Sequence, residues 1–278
     1  MGERRLRHAR TARLLVAPIG RGVADRLTLL GHSTVLIDLD GVRLLTDPLL
    51  GHLVAWAIRR HVPAVLPSEL EGLSAVFISH GHLDHLDLAS LRVLPGRPTF
   101  FVPAGLGRVV AAVARGPVHE MRVGDRIRLG DLTLVAVHAE HGRRRSLFTI
   151  AEDALGVLVD GSTRVYFAGD TDLFPAMSDL AGRVDVALLP VSGWGPTLGP
   201  GHLDPVRAAE AAARIQPAIA IPIHWGTLFP LGLRRLARRR FEGPGEAFRE
   251  AVAAHTPGVE VRVLQPGQSM PLHGRAEE

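Results

Sequence analysis

A dense group of potential metal ligands follows one apolar stretch of the chain. Four potential ligands lie within six positions, directly after the apolar run 75–78: His80, His82, Asp84 and His85. The run reads as a buried strand, and side chains two apart in an extended chain point the same way, so His80 and His82 can hold one ion. Asp84 and His85 would then turn toward a second ion. Mixed nitrogen and oxygen ligands suit zinc, with manganese or iron as alternatives.

The same pattern, an apolar strand followed by a potential ligand, recurs later in the chain. The runs and the ligands behind them are 132–137 with His138 and His141, 165–169 with Asp170, and 218–223 with His224. A packed sheet sets the direction of the side chain that follows a strand, so strand ends are where a rigid scaffold places its chemistry. Together with the first run, these positions could complete a site for two metals.

Residues 80–85 resemble the His-x-His-x-Asp-His signature of the metallo-β-lactamase superfamily, whose members are mostly hydrolases with one or two metals between two mixed sheets. The resemblance extends from about Leu27 to Val263. It is nearest to the branch that holds N-acyl-phosphatidylethanolamine phospholipase D and L-ascorbate-6-phosphate lactonase. The segments that carry this nearer likeness are Gly31-His32-Ser33-Thr34, Leu45-Thr46-Asp47-Pro48 and Ile223-His224-Trp225-Gly226-Thr227.

The resemblance implies two divalent metal ions and a division of their ligands. By this resemblance, the first metal site would consist of His80, His82 and His141, and the second of Asp84, His85 and His224. Asp170 would bridge the two metals. An anionic bridge is reasonable because two divalent cations about 3.5–4 Å apart repel each other. His138 remains the competitor of His141. For His224, the alternative is a strand-end histidine bonded to a backbone carbonyl.

Two further residues have two interpretations each. In the resembled family, the aspartate of the Thr-Asp-Pro motif lies close to the metals, so Asp47 could orient a metal-binding histidine. It could equally be a turn aspartate before Pro48. His32 could line the pocket near the metals, or it could be a hydrogen-bonded histidine of the core.

Two segments of the chain contain side chains that could bind or protonate a substrate. Asp84 and His202 are the candidate catalytic residues. The Gly/Pro-rich loop 192–202 resembles the lid of the family's active site, so Trp194 and His202 could bind substrate, and His202 could donate a proton to a leaving group. Arg143 and Arg145 offer guanidinium groups for a phosphate or a carboxylate, although runs of charge usually form solvated faces.

These features predict a hydrolase rather than a redox protein. Oxygen-reducing di-iron proteins of this fold carry a glutamate where this chain has His82. Bound metals would lower the pKa of water from 15.7 to about 7 and supply a bridging hydroxide. We expect it to cleave an anionic ester, phosphodiester or lactone, of a small molecule or lipid, with activity lost in mild acid as histidines protonate. The alternatives are a phospholipase-D-like enzyme at a membrane surface and a non-catalytic, metal-containing binding module.

The composition limits the possible domain organisation, metal ligands, location and partners. The 278 residues are 46% hydrophobic with a net charge of +4, which suits one domain, 27–278, after a basic extension, 1–26. The absence of cysteine excludes thiolate ligands. No signal peptide or membrane span is recognisable, so we expect a cytoplasmic protein, with peripheral membrane contact and homo-oligomerisation as options. Nucleic acid is not expected, because no aromatic residues are interleaved with the arginines.

The expected fold is α+β, a four-layer αββα sandwich of two mixed sheets flanked by helices. Asp40-Gly41 predicts a hairpin between strands 34–39 and 42–46. Asp204 and Pro205 predict the start of a helix over 206–216. Residues 49–67 are interpreted as a helix packed on the core or as an apolar flap over the substrate or a membrane. The arginines of 234–240 are interpreted as a solvated helix face or as a contact for an acidic partner.

Overall fold

The computed structural model describes residues 11–14, 24–54, 58–141, 153–193, 198–232, 235 and 241–274. Within them, the strands are β1 (Thr11–Leu14), β2 (Arg26–Gly31), β3 (Thr34–Leu39), β4 (Val42–Thr46), β5 (Leu53–Val54), β6 (Ile58–Arg60), β7 (Ala75–Phe77), β8 (Thr99–Pro103), β9 (Val118–Met121), β10 (Arg126–Leu129), β11 (Leu132–His138), β12 (Leu155–Asp160), β13 (Arg164–Phe167), β14 (Val186–Pro190), β15 (Ile219–Ile223), β16 (Leu228–Pro230), β17 (Glu260–Val261) and β18 (Ser269–Pro271). The α-helices are α1 (Leu88–Val93), α2 (Gly107–Ala111), α3 (Pro205–Ile215) and α4 (Pro244–His255), and 3₁₀ helices cover Pro67–Leu70 and Pro175–Leu180. In these residues, no helix has the length and apolar character needed to cross a bilayer.

Two large mixed sheets pack face to face. One has eight strands in the order β1-β10-β11-β12-β13-β14-β15-β17, and the other has seven in the order β18-β2-β3-β4-β7-β8-β9. Apolar side chains of both sheets share one core, in which Ile37 and Leu44 of the seven-stranded sheet join Leu134 and Phe167 of the eight-stranded sheet. Burying this apolar surface is the main force that holds the two sheets together.

Helices cover the outer face of each sheet. Ala208 of α3 shares a buried cluster with Tyr166 of the eight-stranded sheet, which α4 also joins. Leu91 of α1 shares a second cluster with Phe100 of the seven-stranded sheet, which α2 also joins. The layers therefore run helix, sheet, sheet, helix, and the predicted α+β sandwich is confirmed. Because the central strands are covered on both faces, they read in sequence as continuous apolar runs.

The predicted hairpin lies where the sequence indicates. Asp40 and Gly41 both have positive φ, 47° and 72°, as a two-residue hairpin turn of type I′ requires. The flanking strands β3 and β4 have the predicted bounds, 34–39 and 42–46. The hairpin leads directly into Asp47, so this local signal places one of the candidate site residues.

Helix α3 also begins as predicted. The side chain of Asp204 accepts a hydrogen bond of 2.8 Å from the backbone N–H of Arg207, and Pro205 is the first helical residue. The helix ends at Gln216, whose φ of 52° is left-handed, and Pro217 follows. His202, one of the candidate site residues, lies two positions before this cap.

Within residues 49–67, the expected helix is wrong. The described residues form β5 and β6, which pair with β16 in a separate three-stranded antiparallel sheet of order β16-β6-β5. Val54 and Ile58 are buried there, while Leu53 is 53% exposed. A short apolar run does not distinguish helix from strand by itself, and here the deciding partner, β16, is distant in sequence.

The predicted basic extension, 1–26, contributes to the eight-stranded sheet. Its strand β1 runs parallel to β10, with Thr11 opposite Arg126 and Leu14 opposite Leu129. Backbone pairing of this kind needs no apolar pattern, which explains why the sequence did not reveal it.

Candidate metal centre

The candidate ligands converge at one end of the sandwich from both sheets. His80 to His85 follow β7, His141 follows β11, Asp170 follows β13 and His224 follows β15. The structure gathers them into two groups, and within each group one possible ligand atom per residue lies within 4.8 Å of the others. The first site consists of His80, His82, His141 and Asp170, and the second site of His32, Asp84, His85 and His224. All seven residues predicted as ligands are thus brought together.

Asp170 lies between the two sites. Its Oδ2 is 3.4 Å from Nε2 of His85, and its Oδ1 is 3.3 Å from Nε2 of His224, although Asp170 itself belongs to the first site. Burial raises its pKa, but His224 and His85 outweigh burial and hold the pKa well below the usual value. The carboxylate is therefore ionised and positioned where a bridging ligand is expected.

In the second site, two imidazole lone pairs face each other. Nδ1 of His85 donates to Asp47 Oδ2 at 2.6 Å, and Nδ1 of His224 donates to the carbonyl of Ser192 at 2.7 Å. Since a neutral imidazole has one N–H, both Nε2 atoms carry lone pairs, and they are 3.1 Å apart. Asp84 Oδ2 lies 3.2 Å from one of them and 3.5 Å from the other. As neutral rings the two imidazoles repel each other, so the arrangement requires a positive charge among these atoms, either a proton on one Nε2 or a metal ion.

The charges in the second site also favour a cation there. Burial lowers the pKa of His85, but the carboxylates of Asp170, Asp84 and Asp47 outweigh burial and raise the pKa well above its usual value. The pKa of Asp84 stays well below its usual value because His85 and His224 outweigh burial. The carboxylates thus favour positive charge at this point, whether a proton or a metal ion supplies it.

The first site presents neutral imidazoles. Burial, reinforced by neighbouring histidines, lowers the pKa of His80 well below its usual value and that of His82 to about 4. Burial also lowers the pKa of His141. His80 Nε2 is buried without a hydrogen-bond partner, as a lone pair reserved for a metal would be. Neutral imidazole nitrogens with a carboxylate oxygen fit zinc, manganese or iron, so the residues present fit a divalent metal at each site.

Asp47 and Ser79 set the ring orientation of one histidine in each site. Asp47 accepts hydrogen bonds from His85 Nδ1, from Ser79 Oγ at 2.6 Å and from the Ser79 backbone N–H at 2.7 Å. Because the Ser79 hydroxyl donates to Asp47, it can accept from His80 Nδ1, 2.9 Å away. Both histidines then turn Nε2 toward the centre. The sequence showed Ser79 beside the ligands but no signal for this role.

His141, and not His138, reaches the centre. Nδ1 of His141 donates to the carbonyl of Gly201 at 2.6 Å, and its Nε2 is 3.0 Å from Nδ1 of His82. The side chain of His138 is 44% exposed and pairs with Glu140 at 3.2 Å. The two differ because β11 ends at His138, whereas His141 lies past it in the connection that turns inward.

His202 lies at the more accessible side of the centre. Its Nε2 is 3.5 Å from Asp170 Oδ2, its ring packs edge-on against His141 with centroids 4.8 Å apart, and its side chain is 14% exposed. Burial lowers its pKa, but hydrogen bonding and the charge of Asp170 raise it overall. This histidine can hold a proton next to the candidate metals.

Backbone strain is concentrated here. Five non-glycine residues of the described chain have positive φ, and three of them belong to this region: His32 at 55°, Asp47 at 36° and His224 at 63°. Such conformations cost roughly 1–3 kcal/mol each and persist where the surrounding structure imposes them.

Three other sequence candidates, Arg143, Arg145 and Trp194, lie outside the described residues and stay predictions.

Several known proteins are similar to this chain in sequence. The model of the beta-lactamase superfamily domain matches residues 42–225. A metal-dependent hydrolase of Methanopyrus kandleri is 34% identical over 260 residues, 88% of this chain and 98% of the relative. N-acyl-phosphatidylethanolamine-hydrolyzing phospholipase D 1 of Caenorhabditis elegans is 28% identical over 230 residues, 74% of this chain and 64% of that protein.

A solved structure supports the fold. Igni18, a metallo hydrolase of Ignicoccus hospitalis, superposes with a TM-score of 0.68 at 22% identity, over 91% of this chain and all of that one (100%). At this identity the likeness concerns the architecture alone. Taken with the sequence matches and the two groups of candidate ligands, it leads to one conclusion: the chain belongs to the metallo-β-lactamase superfamily, among the metal-dependent hydrolases that include the Methanopyrus relative.

Proposed function

We propose that this metal-dependent hydrolase uses two metal ions to cleave an anionic ester, a phosphodiester or a lactone, of a small molecule or lipid. The observation that carries the proposal is the position of Asp170, which belongs to the first site and lies 3.3–3.4 Å from His224 and His85 of the second. One ionised carboxylate close to both groups of imidazoles supports a pair of divalent cations, because negative charge between two such cations offsets their repulsion.

Bound divalent cations would lower the pKa of a water molecule and polarise the bond under attack. The protein's part is to keep the first-site imidazoles neutral by burial and to keep Asp84 and Asp170 ionised through the charge of the neighbouring histidines. His202 holds a proton close to Asp170, on the side where a substrate can enter, and is placed to give it to a leaving group. Asp84 holds negative charge in the buried second site.

The substrate class rests on the relatives and on the space beside the site. The Caenorhabditis relative is named for hydrolysis of a phospholipid, which supports a phosphodiester. A cavity of about 480 Å³ borders the second site through His32 and Thr227 and is also lined by Trp225 and Leu264. Its size falls within the range of small-molecule pockets, roughly 300–1,000 Å³, so the organic part of a small substrate fits there.

Metal analysis followed by hydrolysis assays tests the proposal. We expect protein loaded with zinc or manganese to hydrolyse bis(p-nitrophenyl) phosphate or a lactone, and the Asp170→Asn variant to lose at least about 100-fold in rate, because even residues around metal ligands cost 10–100-fold. The exposed His255→Asn variant is the control. A metal-loaded protein that is inert to phosphodiesters, lactones and thioesters would favour a binding module instead.

A phospholipase-D-like activity at a membrane surface is the second candidate. Leu53 of β5 is 53% exposed, and Leu231, just after β16, is 50% exposed, so large apolar side chains face outward from the small three-stranded sheet. Flotation with vesicles of anionic phospholipid would test it, comparing the wild type with a Leu53→Ser, Leu231→Ser variant. Equal flotation of both proteins, or none by the wild type, removes this candidate.

A further inference from the structure

The tight turn between β2 and β3, residues 31–34, touches every candidate ligand of the second site directly or through one residue. We name it the His32 turn. Gly31 and His32 both have positive φ, 132° and 55°, so the chain reverses sharply and directs His32 inward, where it is 2% exposed. An imidazole is an unusual residue to bury in such a turn, and its contacts explain why it is there.

The side chain of His32 orients Asp84. Nε2 of His32 is 3.0 Å from Asp84 Oδ2, and since the carboxylate is ionised, this nitrogen must donate. Nδ1 is then the acceptor, and the Thr227 hydroxyl lies 3.0 Å from it as the donor. Both ring nitrogens are thereby occupied, so His32 has no lone pair left for a metal. Within its group it is the orienting member, and Asp84, His85 and His224 are the ligands.

The backbone of the same turn holds His224. The carbonyl of His32 accepts the backbone N–H of His224 at 3.0 Å, and the two rings lie against each other with centroids 3.9 Å apart. His224 itself has a φ of 63°, which this hydrogen bond helps to maintain. The turn therefore fixes both the position and the strained conformation of a second ligand.

The third ligand is reached through Asp47. Thr34 Oγ1 donates to the carbonyl of Asp47 at 2.7 Å and accepts the backbone N–H of Leu49 at 3.0 Å. Asp47 in turn accepts the Nδ1–H of His85. Thr34 thus holds the strained backbone of the residue that orients His85.

The first site depends on other parts of the chain. Its His80 is oriented by Ser79, and its His141 by the carbonyl of Gly201. We propose that the His32 side chain, with its tautomer set by Thr227, acts on the second site alone by holding Asp84 in its ligating orientation. This inference rests on the proposed two-metal centre, and it adds that the two sites can be weakened separately.

Zinc titration of metal-free protein against a chromophoric chelator tests it. The wild type should bind two zinc ions. In His32→Asn, a substitution that tolerates positive φ, one ion should bind as in the wild type and the other about 10–100-fold more weakly. His255→Asn, on the exposed end of α4, should match the wild type.

A second pair covers the case in which His32→Asn does not fold. Thr227→Val removes the donor that sets the His32 tautomer and should weaken the same single zinc ion, whereas Thr227→Ser keeps the hydroxyl and should restore it. Unchanged affinities in His32→Asn, equal weakening of both ions, or no difference between the two Thr227 variants would overturn the inference. A wild type that binds fewer than two ions would instead overturn the two-metal proposal on which it rests.

Discussion

The two candidate sites differ in how far they are closed off from solvent. In the second site all four residues are buried, whereas in the first His82 and His141 are partly exposed. The second site also has more of the surrounding hydrogen bonds, from Asp47, Ser192 and His32. The difference indicates that the second site is the more firmly held of the two, whereas the first is the more accessible to solvent.

Removing a ligand of the first site should produce the largest change in the zinc affinities of the two sites. We expect His141→Ala to weaken the zinc ion of the first site at least about 100-fold, because a direct ligand contributes more than the residues around it, and to leave the second ion in place. His138→Ala is the matched control and should bind both ions normally. If His138→Ala loses the ion and His141→Ala keeps it, the structural placement of the two histidines is wrong.

Acid should empty the second site before the first. The pKa of His85 is raised, so near neutral pH a metal must displace a proton there, while the lowered pKa of His82, about 4, leaves that imidazole neutral. Each proton released on binding weakens affinity about tenfold per pH unit, since one unit is 1.36 kcal/mol. Stepwise zinc affinities at pH 8, 7, 6 and 5 would measure this. An affinity at the first site that falls earlier than at the second would contradict it.

The smallest expected effect belongs to Ser79, which helps to orient one histidine in each site. Ser79→Ala removes the hydroxyl between Asp47 and His80, so each site loses one orienting contact but no ligand. We expect each zinc affinity to fall by about tenfold, the low end for residues around metal ligands. The same titration measures both constants. Loss at only one site would show that Ser79 does not connect them.

Sequence alone predicted a metal-dependent hydrolase of this superfamily. The spacing of His80, His82, Asp84 and His85 is local, and a residue that directly follows a buried strand is constrained by that strand, so most of the candidate ligands could be named without a structure. The hairpin at Asp40-Gly41 and the cap at Asp204 are local for the same reason: a few residues determine their own backbone.

Tertiary structure decided everything that depends on partners distant in sequence. Only packing shows that His141 and not His138 turns inward, that β6 pairs with β16, and that His32 binds Asp84 and Thr227. The physical reason is that a hydrogen bond or a strand pair requires two groups to meet, and a sequence pattern describes only one of them. The choice between the two interpretations of His32 and Asp47 needed those partners to be in place.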